Sequence, residues 1–413
     1  MNDALDGAGL MARLDQLAEL SERPDMLVRR CLTPEHARAN ALVGEWMRAA
    51  GMDVWTDAIG NVIGRYEGTA PGLPALLIGS HLDTVIDAGR YDGMLGVLSA
   101  IACVEDLAAR DIRLPFAIEI VGFADEEGTR FGATLLGSRA LAGTFDPTVL
   151  DRSDGDGIRM ADALVRFGLD PARIPEAARR REDFLGYVEL HIEQGPVLEA
   201  EGLAVGCVTA ISGATRLAVE ITGMAGHAGT VPMAGRHDAL AAAAECILLI
   251  EQRATGEPEL VGTVGRIEAG PGAVNVVPGL ARFTVDLRAP ADDRRAAALA
   301  DLLTGFDAIA RRRGVTLVAT KTHDAPSMPC APWLADQIRD AIEGEAVSLR
   351  SLPSGAGHDG MAIGAIADIA MIFVRCKGGI SHNPAEAITA ADAETGARVL
   401  ARFIRNFVPR SPS

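Results

Sequence analysis

Apolar and polar positions along the chain follow two rhythms in turn. Short apolar runs rich in branched residues, at 75–78, 116–123 and 187–192, read as strands. Stretches with helical spacing lie among them, such as 34–50 and 94–109, and Gly51 stands where the first of these should stop. Strand and helix in alternation predict an α/β layered domain, a sheet covered by helices.

From 211 to about 326 the order changes. Strand 215–222, helix 236–254, strands 261–267 and 281–288, helix 292–313 and strand 315–320 follow one another. That βαββαβ order predicts a second sheet covered on one face by two helices. Ahead of it, residues 152–183 are charged and punctuated by Gly, Pro and Arg, which predicts a surface excursion outside the core. The DRSDGDG run at its start is like a calcium loop, but the acid spacing and the missing distal glutamate break that pattern, so a solvated turn is expected.

Composition narrows the classes. A chain of 413 residues is longer than one core usually serves, so two domains are expected. Aromatics are few and alanine and glycine many, which suits helices packed closely on a sheet and argues against an all-β fold. The net charge of -17, with no basic run, argues against nucleic acid. The first ten residues carry acids where a leader needs bases, and no apolar stretch reaches the roughly 18 residues that span a bilayer. A cytoplasmic protein with no membrane partner is therefore expected. Cys31, Cys103, Cys207, Cys246, Cys330 and Cys376 lie far apart without a CxxC pair and should be buried thiols.

The candidate chemistry sits in five turn-rich motifs: GSHLDTV (79–85), YDGMLGV (91–97), FADEEGTRF (123–131), ELHIEQG (189–195) and GISHNP (379–384). They carry His81, Asp92, Glu126, Glu127, His191 and His382. Imidazoles bind divalent metals through a neutral nitrogen and carboxylates can bridge two cations, so three histidines and two acids suffice for two ions. Glu126 and Glu127 are adjacent and point in different directions, so one can ligate while the other faces water. The motifs fall at strand ends, where open α/β sheets place their ligand crevices. Because they flank residues 211–326, that segment is an insertion into the layered domain.

Together these motifs resemble the M20 metallohydrolase family, in its hydantoinase/carbamoylase branch, from about residue 10 to 407. The resemblance implies a layered metallopeptidase-like catalytic domain, residues 1–210 and 327–413, interrupted at 211–326 by an α+β ferredoxin-like lid and dimerisation domain, hence a homodimer. It implies two divalent ions per subunit, zinc first, with manganese, nickel or cobalt also suited. Asp92 would bridge them, His81 and His191 completing one ion's ligands, Glu127 and His382 the other's. Asp83 would orient a ligating ring and Glu126 would act as general base. His227, in GMAGHAGTVPM, would reach the neighbouring subunit's site and stabilise an oxyanion. Gln194, Asn275 in AVNVVPG and Arg288 in VDLR would hold the substrate's carboxylate and ureido groups, and His358 in SGAGHDG would support the site's loop. His36, His237 and His323 lie in no motif.

His191 stands where peptidase relatives of that family usually carry a carboxylate, which points away from peptides. The implied reaction is hydrolysis of the terminal carbamoyl C–N bond of a small ureido carboxylate, with release of ammonia and carbon dioxide. The runs ADEEGTRF, ISGATRL and AGHAGTVPM favour allantoate; an N-carbamoyl-L-amino acid or 3-ureidopropionate is the alternative, and a peptide a more distant one. A binding protein on a dead scaffold is opposed by the intact ligand set and base.

Overall fold

Strands Ala117–Phe123, Ala75–His81, Phe184–Ile192 and Ile369–Val374 lie side by side in that order, all parallel. Nearly every residue in them is buried, as in strands covered on both faces. The computed structural model describes residues 5–410. It extends this core with antiparallel strands: Val62–Tyr66 and then Asp53–Thr56 beyond Ala117–Phe123, and Val205–Ile211 beyond Ile369–Val374. The three runs read as strands all fall in this core, and the fold is mixed α/β.

Helix Met94–Ala109 packs on the sheet, with Gly7–Ala18 and Ala390–Asn406 packed against it in turn. It is apolar almost all round, as a doubly covered helix should be. Gly96 sets how close it comes: a Cβ there would lie 2.2 Å from the carbonyl oxygen of Leu190. The helix expected at 34–50 is Pro34–Ala49, opened by Thr33, whose hydroxyl accepts the His36 N–H, and by Pro34 in its first turn.

The chain divides into two compact units. One takes the chain up to Thr209, Pro329–Leu352 and the chain from Ala356 on; the other is Ala210–Met328 with Pro353–Gly355. In the second, strands Ile267–Gly270, Leu280–Ala289, Gly213–Thr222 and Thr316–Ala325 form an antiparallel sheet in that order. Leu217, Val219, Ile221, Phe283, Val285 and Leu287 alternate with more exposed residues and pack under helices Ala239–Thr255 and Asp292–Arg313. The latter helix is bounded by chemistry legible in the chain: two aspartates in its first turn, three arginines in its last and Gly314 at φ 64°. The strand expected at 261–267 is two pieces, Val261–Thr263 and Ile267–Gly270, both paired with Leu280–Ala289.

Residues 152–183 depart from expectation. Met160 and Leu164 of helix Met160–Phe167, with Ile174, pack with Ile59, Phe131, Leu136 and Val149 in a core of their own. Charged residues between these few apolar ones masked a four-residue helical spacing. The aspartate-rich run is an exposed turn, as expected, apart from Asp154, which is buried, accepts the N–H of Asp156 and Ile158 and pairs with Arg130 at 3.0 Å. All six cysteines are free and buried. Among the described residues no helix is long and apolar enough to cross a membrane.

Candidate metal centre

The parallel strands deliver their side chains to one edge. His81 ends its strand in register with Phe123, after which the chain turns through Asp125 to Glu126 and Glu127. His191 is the penultimate residue of the next strand, and His382 lies on the loop after Ile369–Val374. The chain leaves Ala75–His81 first for the strand on one side and later for the strand on the other, so this edge is a topological switch point. Asp92 sits on the turn into helix Met94–Ala109, where Gly93 takes φ 78° and a Cβ would come within 2.6 Å of the His81 ring.

Asp92 is the centre of the group. Its Oδ1 lies 3.0 Å from His191 Nε2 and 3.5 Å from His81 Nε2; its Oδ2 lies 3.2 Å from His382 Nε2. His382 Nε2 is also 3.3 Å from Glu127 Oε1. The Nδ1 atoms of His81 and His191 each lie 2.9 Å from a backbone carbonyl, of Asp83 and Ile192. A neutral ring donating there turns its Nε2 lone pair toward Asp92. His191 Nε2 is buried and outside hydrogen-bond geometry despite its 3.0 Å approach. Lone pairs facing a carboxylate need a cation between them, and imidazole with carboxylate is the donor set of a divalent metal. Two groups of potential ligands share Asp92: His81, Asp92 and His191, all buried, and Asp92, Glu127 and His382, the more exposed.

Without a metal, protons take that place. Hydrogen bonds to Asp92 and Glu127 push the His382 imidazole up to about 10. Burial acts to raise the Asp92 carboxyl, but the three imidazoles outweigh it and hold it well below the ordinary range. A metal entering beside His382 must therefore expel a proton at any pH below that value. Uptake at this half should tighten about tenfold per pH unit between about pH 6.5 and pH 9, the direction set by the raised imidazole. Calorimetric titration across that range checks it, and a flat profile would show that His382 gives up no proton.

Asp83, expected on a ligating ring, divides its contacts. Its carbonyl meets the His81 ring, its carboxylate lies 3.8 Å from that ring, and the same carboxylate accepts the N–H groups of Glu126 and Glu127 at 3.0 and 3.2 Å. It thus fixes the loop that carries both glutamates. Glu126 is buried, and burial reinforced by Glu127, Asp359 and Asp83 keeps its carboxyl well above the usual range against the pull of His81. Gln194 Nε2 donates to Asp92 Oδ2 at 2.9 Å and to Ser381 Oγ at 3.2 Å. The His358 ring packs edge-on against His191, centroids 4.5 Å apart, and burial with the His191 charge keeps it neutral. Asp125, Gln194 and His382 all take left-handed backbone, at φ 57°, 56° and 54°, local strain of about 1–3 kcal/mol each gathered at one site.

Three residues here escaped the motif reading: Glu189 and Glu386, both buried, and the half-buried Ser381. Glu189 accepts from Ser80 Oγ and Tyr187 Oη, both at 2.9 Å, on the strand that carries His191. Ser381 and Glu386 contact Asp92 or its backbone. Their nearness in sequence to His191 and His382 was a signal; their distant targets, Ser80 and Asp92, were not.

His227, Asn275 and Arg288 belong to the second unit. Strand Gly226–His227 pairs with Val276–Val277, and Ala228 N–H donates to Asn275 O at 2.9 Å, which sets His227 beside Asn275, both exposed. Gly229 N–H donates to His227 Nδ1 at 3.1 Å, so in the neutral ring the hydrogen is on Nε2. Arg288 gives Nε and Nη2 to Asp286 at 2.8 and 3.1 Å and Nη1 to Gly355 O at 2.8 Å. Three of its five N–H groups are thereby engaged.

Residues 77–406 match the model of the peptidase family M20/M25/M40. An N-carbamoyl-L-amino acid amidohydrolase of Geobacillus stearothermophilus is 42% identical, over 96% of this chain and 97% of the relative. An allantoate deiminase of Arabidopsis thaliana is 40% identical, over 96% of this chain and 81% of its own length. The crystal structure of a hydantoinase/carbamoylase family amidase from Burkholderia multivorans superposes with a TM-score of 0.91 at 33% identity, over 98% of this chain and 99% of the other. The chain belongs to the M20/M25/M40 peptidase family. It is a hydrolase of carbon–nitrogen bonds.

Proposed function

We propose that the chain is an amidohydrolase that removes the terminal carbamoyl group of a small ureido carboxylate, using two divalent ions shared through Asp92. The observation that carries this reading is the placement of one carboxylate between two imidazoles on one oxygen and a third imidazole on the other. His81, Asp92 and His191 would hold one ion, and Asp92, Glu127 and His382 the second. Zinc suits this donor set first; manganese, nickel and cobalt suit it also. When bound, such ions polarise the carbamoyl carbonyl and make water a stronger acid.

The chain's own groups do the rest. Glu126, buried beside the ligands with its carboxyl raised, takes the proton from the attacking water and returns it to the departing nitrogen. Asp83 keeps it in place by accepting the loop's N–H groups. His227 Nε2–H is a donor for the developing oxyanion, delivered from the inserted lid of the partner copy in a homodimer. Met224, Met233 and Val274, exposed apolar residues close in sequence to His227 and Asn275, are side chains a partner copy would cover. Gln194, Asn275 and Arg288 hold the ureido and carboxylate groups, and His358 braces His191. Water adds to the carbamoyl carbon and one of its two C–N bonds breaks, releasing one nitrogen and a carbamate; the carbamate then loses its remaining nitrogen as it decomposes, so that an amine, ammonia and carbon dioxide are the final products.

Allantoate is the first substrate on this reading, from the ADEEGTRF, ISGATRL and AGHAGTVPM runs and the 40% identical allantoate deiminase. An N-carbamoyl-L-amino acid is the second, favoured by the 42% identical amidohydrolase. Ammonia release from allantoate, N-carbamoyl-L-amino acids and 3-ureidopropionate, with dipeptides as controls, decides among them; cleavage of the dipeptides alone would overturn the reading. In the same assay Arg288→Lys should cut kcat/KM on the acid about 10–100-fold, the worth of charge-assisted hydrogen bonds of about 1.5–3 kcal/mol, while sparing the substrate's amide. Equal losses on both forms would remove Arg288 from the carboxylate.

A further inference from the structure

The C-terminal loop that presents His382 also presents Glu386, four residues on and only 5% exposed. Its carboxylate reaches back across the sequence to the turn that holds Asp92. Oε1 accepts the N–H of Tyr91 at 2.9 Å and of Asp92 at 3.2 Å, and Oε2 lies 2.8 Å from Ser381 Oγ. The approach is close enough to dictate a residue elsewhere: a Cβ on Gly89 would fall 2.1 Å from the Glu386 carboxylate.

Ser381 is the informative member. Its Oγ is 2.9 Å from Asp92 Oδ2 and 2.8 Å from Glu386 Oε2, yet it has one hydrogen. Asp92 Oδ2 is also the oxygen nearest His382 Nε2, at 3.2 Å, so it belongs to the exposed half of the centre. A hydroxyl hydrogen on that oxygen competes with a cation for its lone pairs. Glu386 offers the same hydrogen a second acceptor.

We propose that Glu386 is a positioning residue that fixes the Tyr91–Asp92 backbone and draws the Ser381 hydrogen off Asp92 Oδ2, thereby setting the affinity of the Glu127–His382 half for its ion. The proposal rests on the two-ion reading above. It attributes to Glu386 no contact with substrate and no ligation.

Glu386→Gln separates the two duties. The N–H groups of Tyr91 and Asp92 require the amide oxygen on their side, which turns the NH2 toward Ser381. Ser381 then accepts from that NH2 and must give its hydrogen to Asp92 Oδ2. Removing the hydroxyl as well, in Glu386→Gln with Ser381→Ala, removes the competing hydrogen.

Cobalt(II) titrated into metal-free protein and followed by visible absorption reads the two halves. Loss of an outer partner of a ligand weakens metal binding about 10–100-fold. Glu386→Gln should weaken only the second equivalent by that factor, and the double variant should return it to within a few-fold of wild type. Thermal unfolding of the metal-free variants should match wild type. The proposal is overturned if Glu386→Gln binds both equivalents normally, if both weaken alike, or if the double variant is no better than the single. A wild-type protein that takes up fewer than two equivalents instead removes the two-ion reading, and this proposal with it.

Discussion

Glu126→Gln keeps its metal and loses its turnover. The amide is nearly the same size as the acid and should still fit the buried position held by the loop's contacts to Asp83, but it cannot accept a proton from water. General-base catalysis contributes about 10²–10⁴ in rate, and kcat should fall by that factor. Glu127→Gln behaves differently, because its Oε1 lies 3.3 Å from His382 Nε2 within a potential ligand group. That variant should come off the column deficient in one ion. Metal analysis of both proteins beside their rates makes the distinction; equal metal loss in the two would mean that the roles of the neighbouring glutamates are exchanged or shared.

Asp92→Asn should release both ions at once. Among the described residues no other carboxylate approaches the candidate ligand nitrogens with both of its oxygens, and an asparagine leaves one oxygen and an NH2 that cannot ligate. Breaking one partner of a buried charge pair costs about 3–5 kcal/mol, a factor of about 10²–10⁴ in affinity for each ion. Fold should survive, since the strands that frame the centre do not depend on this side chain. Metal content after gel filtration, with circular dichroism as the control, checks both halves of the expectation. A variant that retains one full equivalent would show that Asp92 is not shared.

Much of this candidate centre was legible because the residues that could ligate sit in short motifs at strand ends, where both periodicity and residue type are informative. His81, Asp92, Glu127, His191 and His382 come together as a cluster though they span three hundred positions. What stayed hidden follows a common logic. Asp83 and Glu386 use carboxylates to accept backbone N–H groups from segments far away in sequence, and such contacts leave no spacing to read. Residues 152–183 hid a small core because charge outweighed a few well-placed apolar side chains. The strand expected at 261–267 is interrupted at 264–266, around Gly265, the glycine whose breaking signal the strand pattern passed over.

Strand Ile369–Val374 has a consequence for how the molecule is assembled. It sits between Phe184–Ile192 and Val205–Ile211, two strands made more than 150 residues earlier, and pairs with both. Until it is synthesised, each of those strands presents an open edge to solvent. They run antiparallel and follow one another in sequence, so a hairpin between them is the local, low-entropy alternative to the native sheet. The nascent chain must either keep that slot open or reopen it when the last strand arrives. His382 follows that strand in the chain, so the half of the candidate centre that needs it cannot be complete before the strand is made and in place.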